Sequence, residues 1–274
     1  MPGAITADID PQDIILAVKA GMDAIMALNA DVHVEYKDDA SPVTMADRAA
    51  ERAITAHIEA RSSIPIVAEE RFSAGRVPEI GDRFLLVDPL DGTKSYIAGK
   101  PDYTVNIAIV ENGVPVFGCV GVPATGEIYS GGLGLEPTVE RNGETIRLAV
   151  REAPERVEAL VSRNHLSSTT KDYLDGLDIA GTIAIGSSLK LCLLAEGRGD
   201  LYPRFNRTMQ WDTAAGHGVL LAAGGCVVTP SGEPFLYGLY GRTRIRREDV
   251  FANGFFIAVG DPKLLDRDGV IRRG

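Results

Sequence analysis

Apolar positions along the chain fall into helical, alternating and continuous patterns. Ile14, Ile15, Val18, Met22, Ile25, Met26 and Leu28 recur close to helical spacing over 10–29. Asp10-Pro11 precedes them as a capping residue and a favoured first helical residue. Thr44 opens a second helix to Ala60, and Asp47 in its first turn completes a Thr-x-x-Asp pattern resembling a capping box. Between the two, Val32 to Lys37 alternates as a strand or hairpin arm and Asp38 to Pro42 is a turn. Ile64 to Ala68 is a short strand that ends at Glu69-Glu70-Arg71, a pair of glutamates suited to a solvated loop. Residues 72–82 are a connection.

Phe84-Leu85-Leu86-Val87 is the continuous apolar run of a strand buried on both faces. Pro89 lacks an amide hydrogen, so the ladder is expected to end at Asp88-Pro89. Tyr103 to Glu111 and Val114 to Val122 are two strands joined by the hairpin signal Asn112-Gly113. Stretches 126–131 and 137–150 add short strands, so the first half reads as two helices on an antiparallel-rich sheet.

In the second half strands and helices alternate. Arg156 to Val161, Leu177 to Thr182, 199–204, Cys226 to Val228 and Phe255 to Val259 read as strands. Helices are expected over 167–175, in the run Leu191 to Ala195 closed by Gly197, from Asp212 to Ala223, and over Pro262 to Leu265. The expected division is an N-terminal α+β part, 1–150, and a C-terminal α/β part, 151–274.

With 274 residues, 45% hydrophobic and 24% charged, the chain has the composition of a soluble globular protein with a sizeable core. A formal net charge of −10 argues against nonspecific binding to nucleic acid polymers. Cys119, Cys192 and Cys226 are widely spaced in apolar contexts and read as reduced core residues. No stretch reaches membrane-spanning length and no signal peptide is evident, so a cytoplasmic location is expected, with peripheral inner-membrane association and a homodimer left open.

Chemistry concentrates in Asp88-Pro89-Leu90-Asp91-Gly92-Thr93. Two carboxylates across a tight turn at a strand end repel one another unless a cation lies between them. Oxygen-only donors point to Mg²⁺ or Mn²⁺. The same stretch can also be an Asp-Pro turn followed by an Asp cap.

Those six residues resemble the D-P-[ILV]-D-G-T signature of the inositol monophosphatase superfamily of Mg²⁺- and Li⁺-sensitive phosphatases. Trp211-Asp212-Thr213-Ala214-Ala215-Gly216 resembles its W-D-x-A-A-G signature, Glu69-Glu70 its E-E motif, and Asp47 the acid of a T-x-x-D pattern. The motifs stand in the family's order and span nearly the whole chain. The resemblance implies a layered αβαβα sandwich. It also implies two or three Mg²⁺ per site, one held by Glu69, Asp88 and the Leu90 carbonyl and a second held by Asp88, Asp91 and Asp212. Thr93, bonded to Asp47, would orient the attacking water, and amides after Gly92 would cradle the phosphate. Glu70 has no assigned role beyond a solvated or supporting one.

Within the superfamily the likeness is closest to bacterial 3′(2′),5′-bisphosphate nucleotidases, on Lys94, Gly186-Ser187-Ser188-Leu189-Lys190 and Tyr202-Pro203-Arg204-Phe205. Arg204, Asn206 and Arg207 precede the W-D motif and suit a second phosphate better than a sugar hydroxyl. The implied substrate is adenosine 3′,5′-bisphosphate, with Ser187, Lys190, Arg204 and His165 as nucleotide contacts. Taken alone, Lys190 would be a solvated helix lysine and His165 a surface loop residue. His217 reads as packing, and Arg242, Arg244, Arg246 and Arg247 as a solvated basic face. Inositol-phosphate, fructose-1,6-bisphosphate and NADP(H) phosphatases are the alternatives on the same scaffold, and a nonhydrolytic nucleotide sensor is the alternative of another class.

Overall fold

The computed structural model of the chain describes residues 9–28, 34–36, 42–163, 166–239 and 246–271. Helix α1, Pro11–Ala27, is capped by Asp10, whose carboxylate accepts from Gln12 N at 2.8 Å. A two-stranded ribbon, β1 (Val34–Tyr36) and β2 (Pro42–Thr44), leads into α2, Met45–Glu59. Pro42 therefore opens a strand rather than closing a turn; the turn residues 38–41 lie outside the described residues.

Seven strands form the first sheet: β3 (Ile66–Ala68), β4 (Arg83–Asp91), β5 (Thr104–Glu111), β6 (Val114–Val122), β7 (Glu127–Gly132), β8 (Leu135–Arg141) and β9 (Glu144–Arg147), in chain order across the sheet. The β3–β4 pair is parallel and the others are antiparallel. Asn112 and Gly113 both have positive φ in the β5–β6 hairpin, the backbone that an Asn-Gly turn supplies. Short helices α3 (Glu69–Ser73) and α4 (Thr93–Ile97) follow β3 and β4 directly.

The second sheet contains β10 (Val157–Ser162), β11 (Ile179–Ile185), β12 (Leu201–Arg204), β13 (Cys226–Val228) and β14 (Phe256–Val259), in the order β11-β10-β12-β14-β13. Helices α5 (Ser168–Asp175), α6 (Leu189–Ala195) and α7 (Gln210–Ala222) accompany it, and a 3₁₀ turn spans Pro262–Asp266.

Three apolar cores show how these pieces stack. Leu85 and Val87 of β4 face Ile14, Val18, Ile54 and Ile58 of α1 and α2. Phe84 and Leu86, alternating to the other face, meet α6, α7 and the inner face of the second sheet. The outer face of that sheet packs on Tyr173, Leu174 and Leu264. The result is the αβαβα sandwich, with β4 buried on both sides as its uninterrupted apolar run requires.

Two local expectations are corrected. The ladder does not end at Pro89: β4 continues to Asp91, which pairs with Thr104, after an irregularity between Asp88 and Asp91. Proline is tolerated there because a bulge asks for no ladder bond from its nitrogen. Leu90 N, also in the break, donates to Asp88 Oδ1 at 3.0 Å instead. Glu69-Glu70-Arg71 is also not a loop but the start of α3. The Glu51 carboxylate on α2 receives the otherwise unpaired amides of Glu70 (2.7 Å) and Arg71 (3.3 Å).

Helix α7 occupies the middle layer and is buried along its length except at Asp212 and at its last two residues, Leu221 and Ala222. Close approach demands small residues. A Cβ on Gly118 of β6 would lie 1.9 Å from the Ala215 carbonyl oxygen, and one on Gly218 would lie 2.8 Å from Gly118 N. Both contacts are to backbone, which cannot rotate away. Substituting Gly118→Ala should therefore cost about 3 kcal/mol of stability and impair activity by displacing α7. An unchanged urea midpoint in G118A would show that the helix and sheet are not packed this closely.

Candidate active site

The C-terminal end of β4 and the N-termini of α2, α3, α4 and α7 meet at one place. Asp88 and Asp91 end the strand, and Gly92, at φ +94°, turns the chain into α4. A side chain at Gly92 would press on the Asp102 carbonyl oxygen, 3.1 Å from the Cβ position, besides straining the backbone. Asp47 and Asp212 are both third residues of their helices. Each accepts the amide of the residue before its helix: Thr44 N to Asp47 Oδ2 at 2.7 Å, and Met209 N to Asp212 Oδ2 at 2.9 Å. The helix dipoles of α2 and α7 favour negative charge at both positions.

The capping reading and the chemical reading of Asp47 coexist. Its Oδ2 takes the Thr44 amide and hydroxyl, both at 2.7 Å, while its Oδ1 lies 3.0 Å from the Thr93 hydroxyl. That hydroxyl is also 3.3 Å from the Leu90 carbonyl oxygen, so it can donate to either acceptor.

Glu69, Asp88, Asp91 and Asp212 share one electrostatic neighbourhood. Burial, then the charges of Glu69, Asp91 and Asp212, push the Asp88 carboxyl well above the usual range. Asp212 is pushed up by burial and by Asp91 and Glu69. Asp91 is raised to about 6 by burial, against the opposing pull of Lys190, the Ser188 amide and Arg204. Asp47 is raised as well, chiefly by burial. Burial differs among these acids: Asp88 is 1% exposed, whereas Asp91 and Asp212 are half-buried.

Asp91 Oδ2 accepts Ser188 N at 2.6 Å, so Asp88, Asp91 and Asp212 each have one oxygen bound to a backbone amide. Among the described residues no three acidic, histidine or cysteine side chains form a ready-made metal cage. The four acids feel one another's charge without closing around a common point among the described residues. As a donor set, carboxylates and one carbonyl fit a hard divalent cation of the Mg²⁺ class.

Beside these acids opens a cleft of about 330 Å³, its wall including Asp91, Asp212, Ser187, Lys190, Tyr202 and Arg204. Glu69, Asp88, Leu90 and Thr93 do not line it. A larger hollow of about 470 Å³ lies at the opposite end of α2 and contains no group of this site. Ser187 has φ +47°, and its Oγ is buried without a hydrogen-bond partner among the described residues. Lys190 is buried; its ammonium donates to Ser187 O (2.5 Å) and Ile185 O (3.3 Å) and lies 5.2 Å from the Tyr202 ring centre. Burial lowers its pKa to about 8, with Asp91 opposing. Arg204 is 8% exposed and its Nε has no partner among the described residues.

His217 is a packing residue: Nδ1 lies 3.1 Å from Tyr237 Oη, and burial depresses its pKa to about 3. His165, Arg242 and Arg244 lie outside the described residues, and Arg246 is exposed. Glu70 contributes its backbone amide to Glu51. Sequence reasoning missed Glu51, Asn106 and Ser188. Only Ser188 carried a signal, as part of the Gly-Ser-Ser run.

The model of the inositol monophosphatase family matches residues 7–249. The protein named 3′(2′),5′-bisphosphate nucleotidase CysQ of Escherichia coli K12 is 41% identical over 226 residues, covering 81% of this chain and 91% of its own length. The Buchnera aphidicola protein of the same name is 38% identical over 225 residues, covering 81% and 84%. Among solved structures, CysQ from Bacteroides thetaiotaomicron superposes with a TM-score of 0.76 at 32% identity, covering 93% of this chain and 98% of that one. An inositol monophosphatase from Zymomonas mobilis gives 0.74 at 26% identity, covering 98% of each chain. The acidic turn at the end of β4, the Asp212 helix and the layering that joins them are thus those of a family, and this chain belongs to the inositol monophosphatase family.

Proposed function

We propose that the chain is a divalent-metal-dependent phosphomonoesterase that removes the 3′-phosphate of adenosine 3′,5′-bisphosphate, releasing AMP and phosphate. The observation that carries this reading is one cleft lined both by the acids Asp91 and Asp212 and by the bases Lys190, Arg204 and Arg207. A monoester bearing a second phosphate needs both. The relatives named for this nucleotidase activity, at 41% and 38% identity over most of the chain, support the same choice. Arg204 and Arg207 stand where a sugar alcohol would call for an acceptor, which disfavours an inositol phosphate.

Glu69, Asp88 and the Leu90 carbonyl would hold one Mg²⁺, and Asp88, Asp91 and Asp212 another. When bound, the ions would screen the anionic ester, acidify water and stabilise the leaving oxygen. The chain's own groups do the rest. Thr93, donating to Asp47, presents its lone pairs to the attacking water and relays a proton toward the Asp47 carboxylate. Asp47 is suited to receive it because burial has raised its pKa. Ser187 offers its unpartnered hydroxyl, and Arg204 its guanidinium, to the remote phosphate. Lys190 lies beneath them as a fixed positive charge, its ammonium anchored on carbonyl oxygens.

The deciding experiment is phosphate release from a substrate panel in Mg²⁺. Adenosine 3′,5′-bisphosphate should be turned over with the highest kcat/KM. Faster hydrolysis of inositol 1-phosphate would move the chain to the other branch of its family, and tight nucleotide binding without any release would make it a sensor.

Asp91→Asn should lower kcat at least about a hundredfold, because the second cation loses a charged ligand. The metal-free variant should melt no lower than the parent, since a buried like charge is gone and the amide oxygen can still accept Ser188 N. Near-normal turnover in D91N would remove Asp91 from the metal site.

Metal binding should also depend on pH. A carboxyl raised to about 6 must lose its proton before it can ligate. The Mg²⁺ concentration for half-saturation should therefore rise as pH falls through about 6, by up to about tenfold per unit below it. Calorimetric titrations at pH 7 and pH 5 that give the same affinity would contradict the shift.

A further inference from the structure

We infer that Asp102 is a positioning residue that holds the Gly186–Ser188 turn against the Asp91 carboxylate, and so aligns the two halves of the cleft. Asp102 lies between α4 and β5 and is 5% exposed. Its Oδ2 accepts Gly186 N at 2.8 Å and is ion-paired with Arg163, whose guanidinium also donates to Ala184 O at 3.1 Å. One carboxylate from the first-sheet side thereby grips the ends of β10 and β11 in the second sheet. The fit leaves no room for adjustment: a Cβ on Gly186 would fall 2.2 Å from Asp102 Oδ2, and one on Gly92 would fall 3.1 Å from Asp102 O. A shift of Asp102 is therefore felt at both turns.

The Gly186–Ser188 turn does two things for the site. It delivers Ser188 N to Asp91 Oδ2 at 2.6 Å, with Ser188 Oγ fixed 2.7 Å from Asn106 Oδ1 and 2.9 Å from Thr104 Oγ1. It also holds Ser187 in a left-handed conformation that a β-substituted residue adopts only under constraint. Stability alone does not explain the choice of an aspartate at 102. Its Oδ1 is buried with no hydrogen-bond partner among the described residues, an arrangement that costs free energy. The inference rests on reading this cleft as the phosphatase site, and it deepens that reading by naming what sets the distance between its metal-binding and phosphate-binding walls.

The test uses the full chain with two readouts: Mg²⁺ affinity by calorimetry with the metal alone, and KM and kcat for adenosine 3′,5′-bisphosphate. Asp102→Ala should weaken Mg²⁺ binding and raise KM by about tenfold each, with a smaller change in kcat. Asp102→Asn keeps an oxygen for Gly186 N and should recover part of both losses. Arg163→Gln, at a partly exposed side chain, and Gly186→Ala, which displaces Asp102 from the other side, should shift the same two quantities in the same direction, and they carry the test if D102A does not fold. Folded variants that saturate with Mg²⁺ and nucleotide at the parent's concentrations would overturn the proposal, even if their melting temperature fell. If the parent binds Mg²⁺ but does not hydrolyse the bisphosphate, the functional reading fails, and the Mg²⁺ titrations alone still decide the role of Asp102.

Discussion

The structure depends on keeping four carboxylates close together at a seam between layers. Burial raises the free energy of each charged form, and each charge raises it further for its neighbours. The fold answers with partial positive charge fixed in the backbone. Amides of Leu90, Ser188 and Met209 each bind one oxygen of Asp88, Asp91 and Asp212, and the N-termini of α2 and α7 point at the cluster. Lys190 and Arg204 add full charges on the cleft side. These supports hold the acids in place without neutralising them, and the repulsion that remains is what a hard divalent cation would relieve under the proposed function.

Such a cluster can exist only if elements far apart in the chain are packed to within backbone contact. Asp212 arrives on α7, and α7 lies in the middle layer only because Gly216 and Gly218, with Gly118 opposite, remove the side chains that would keep it away. The small-residue run after the Trp-Asp pair is therefore part of the chemistry. It sets how deep the helix sits, and so where its third residue ends up. Trp211, against Phe72 and Phe251, fixes the same end of the helix from the other side.

What could be read from the residues follows the range of the interaction. The six residues from Asp88 to Thr93 carry their own geometry, and the strand before them shows its double burial in an unbroken apolar run. Capping signals at Asp10 and Thr44 act over two or three residues, and they placed both helices. The failures are long-range. Pro89 was expected to stop a ladder that continues because a bulge absorbs it, and the bulge is defined by the partner strand β5. Glu69 to Arg71 form a helix because Glu51, on another helix, binds their amides. Asp102 and Arg163 gave no signal, since a single acid in one loop and a single base in another look like ordinary solvated charges until the fold brings them together.

Asp47 shows why a structural and a chemical account of one residue need not compete. As the third residue of a helix, it would be kept for stability alone, through its bonds to Thr44. A carboxylate has two oxygens, however, and the cap occupies only Oδ2. The geometry of the cap aims Oδ1 away from the helix start, toward Thr93 at the head of α4. The capping bond thus orients the carboxylate, and burial of the same group raises its proton affinity. Asp212 repeats the device: Met209 N holds one oxygen, and the carboxyl faces the cleft. Helix capping here fixes one oxygen of each of these acids and leaves the other free, toward Thr93 for Asp47 and in a carboxyl group at the cleft for Asp212.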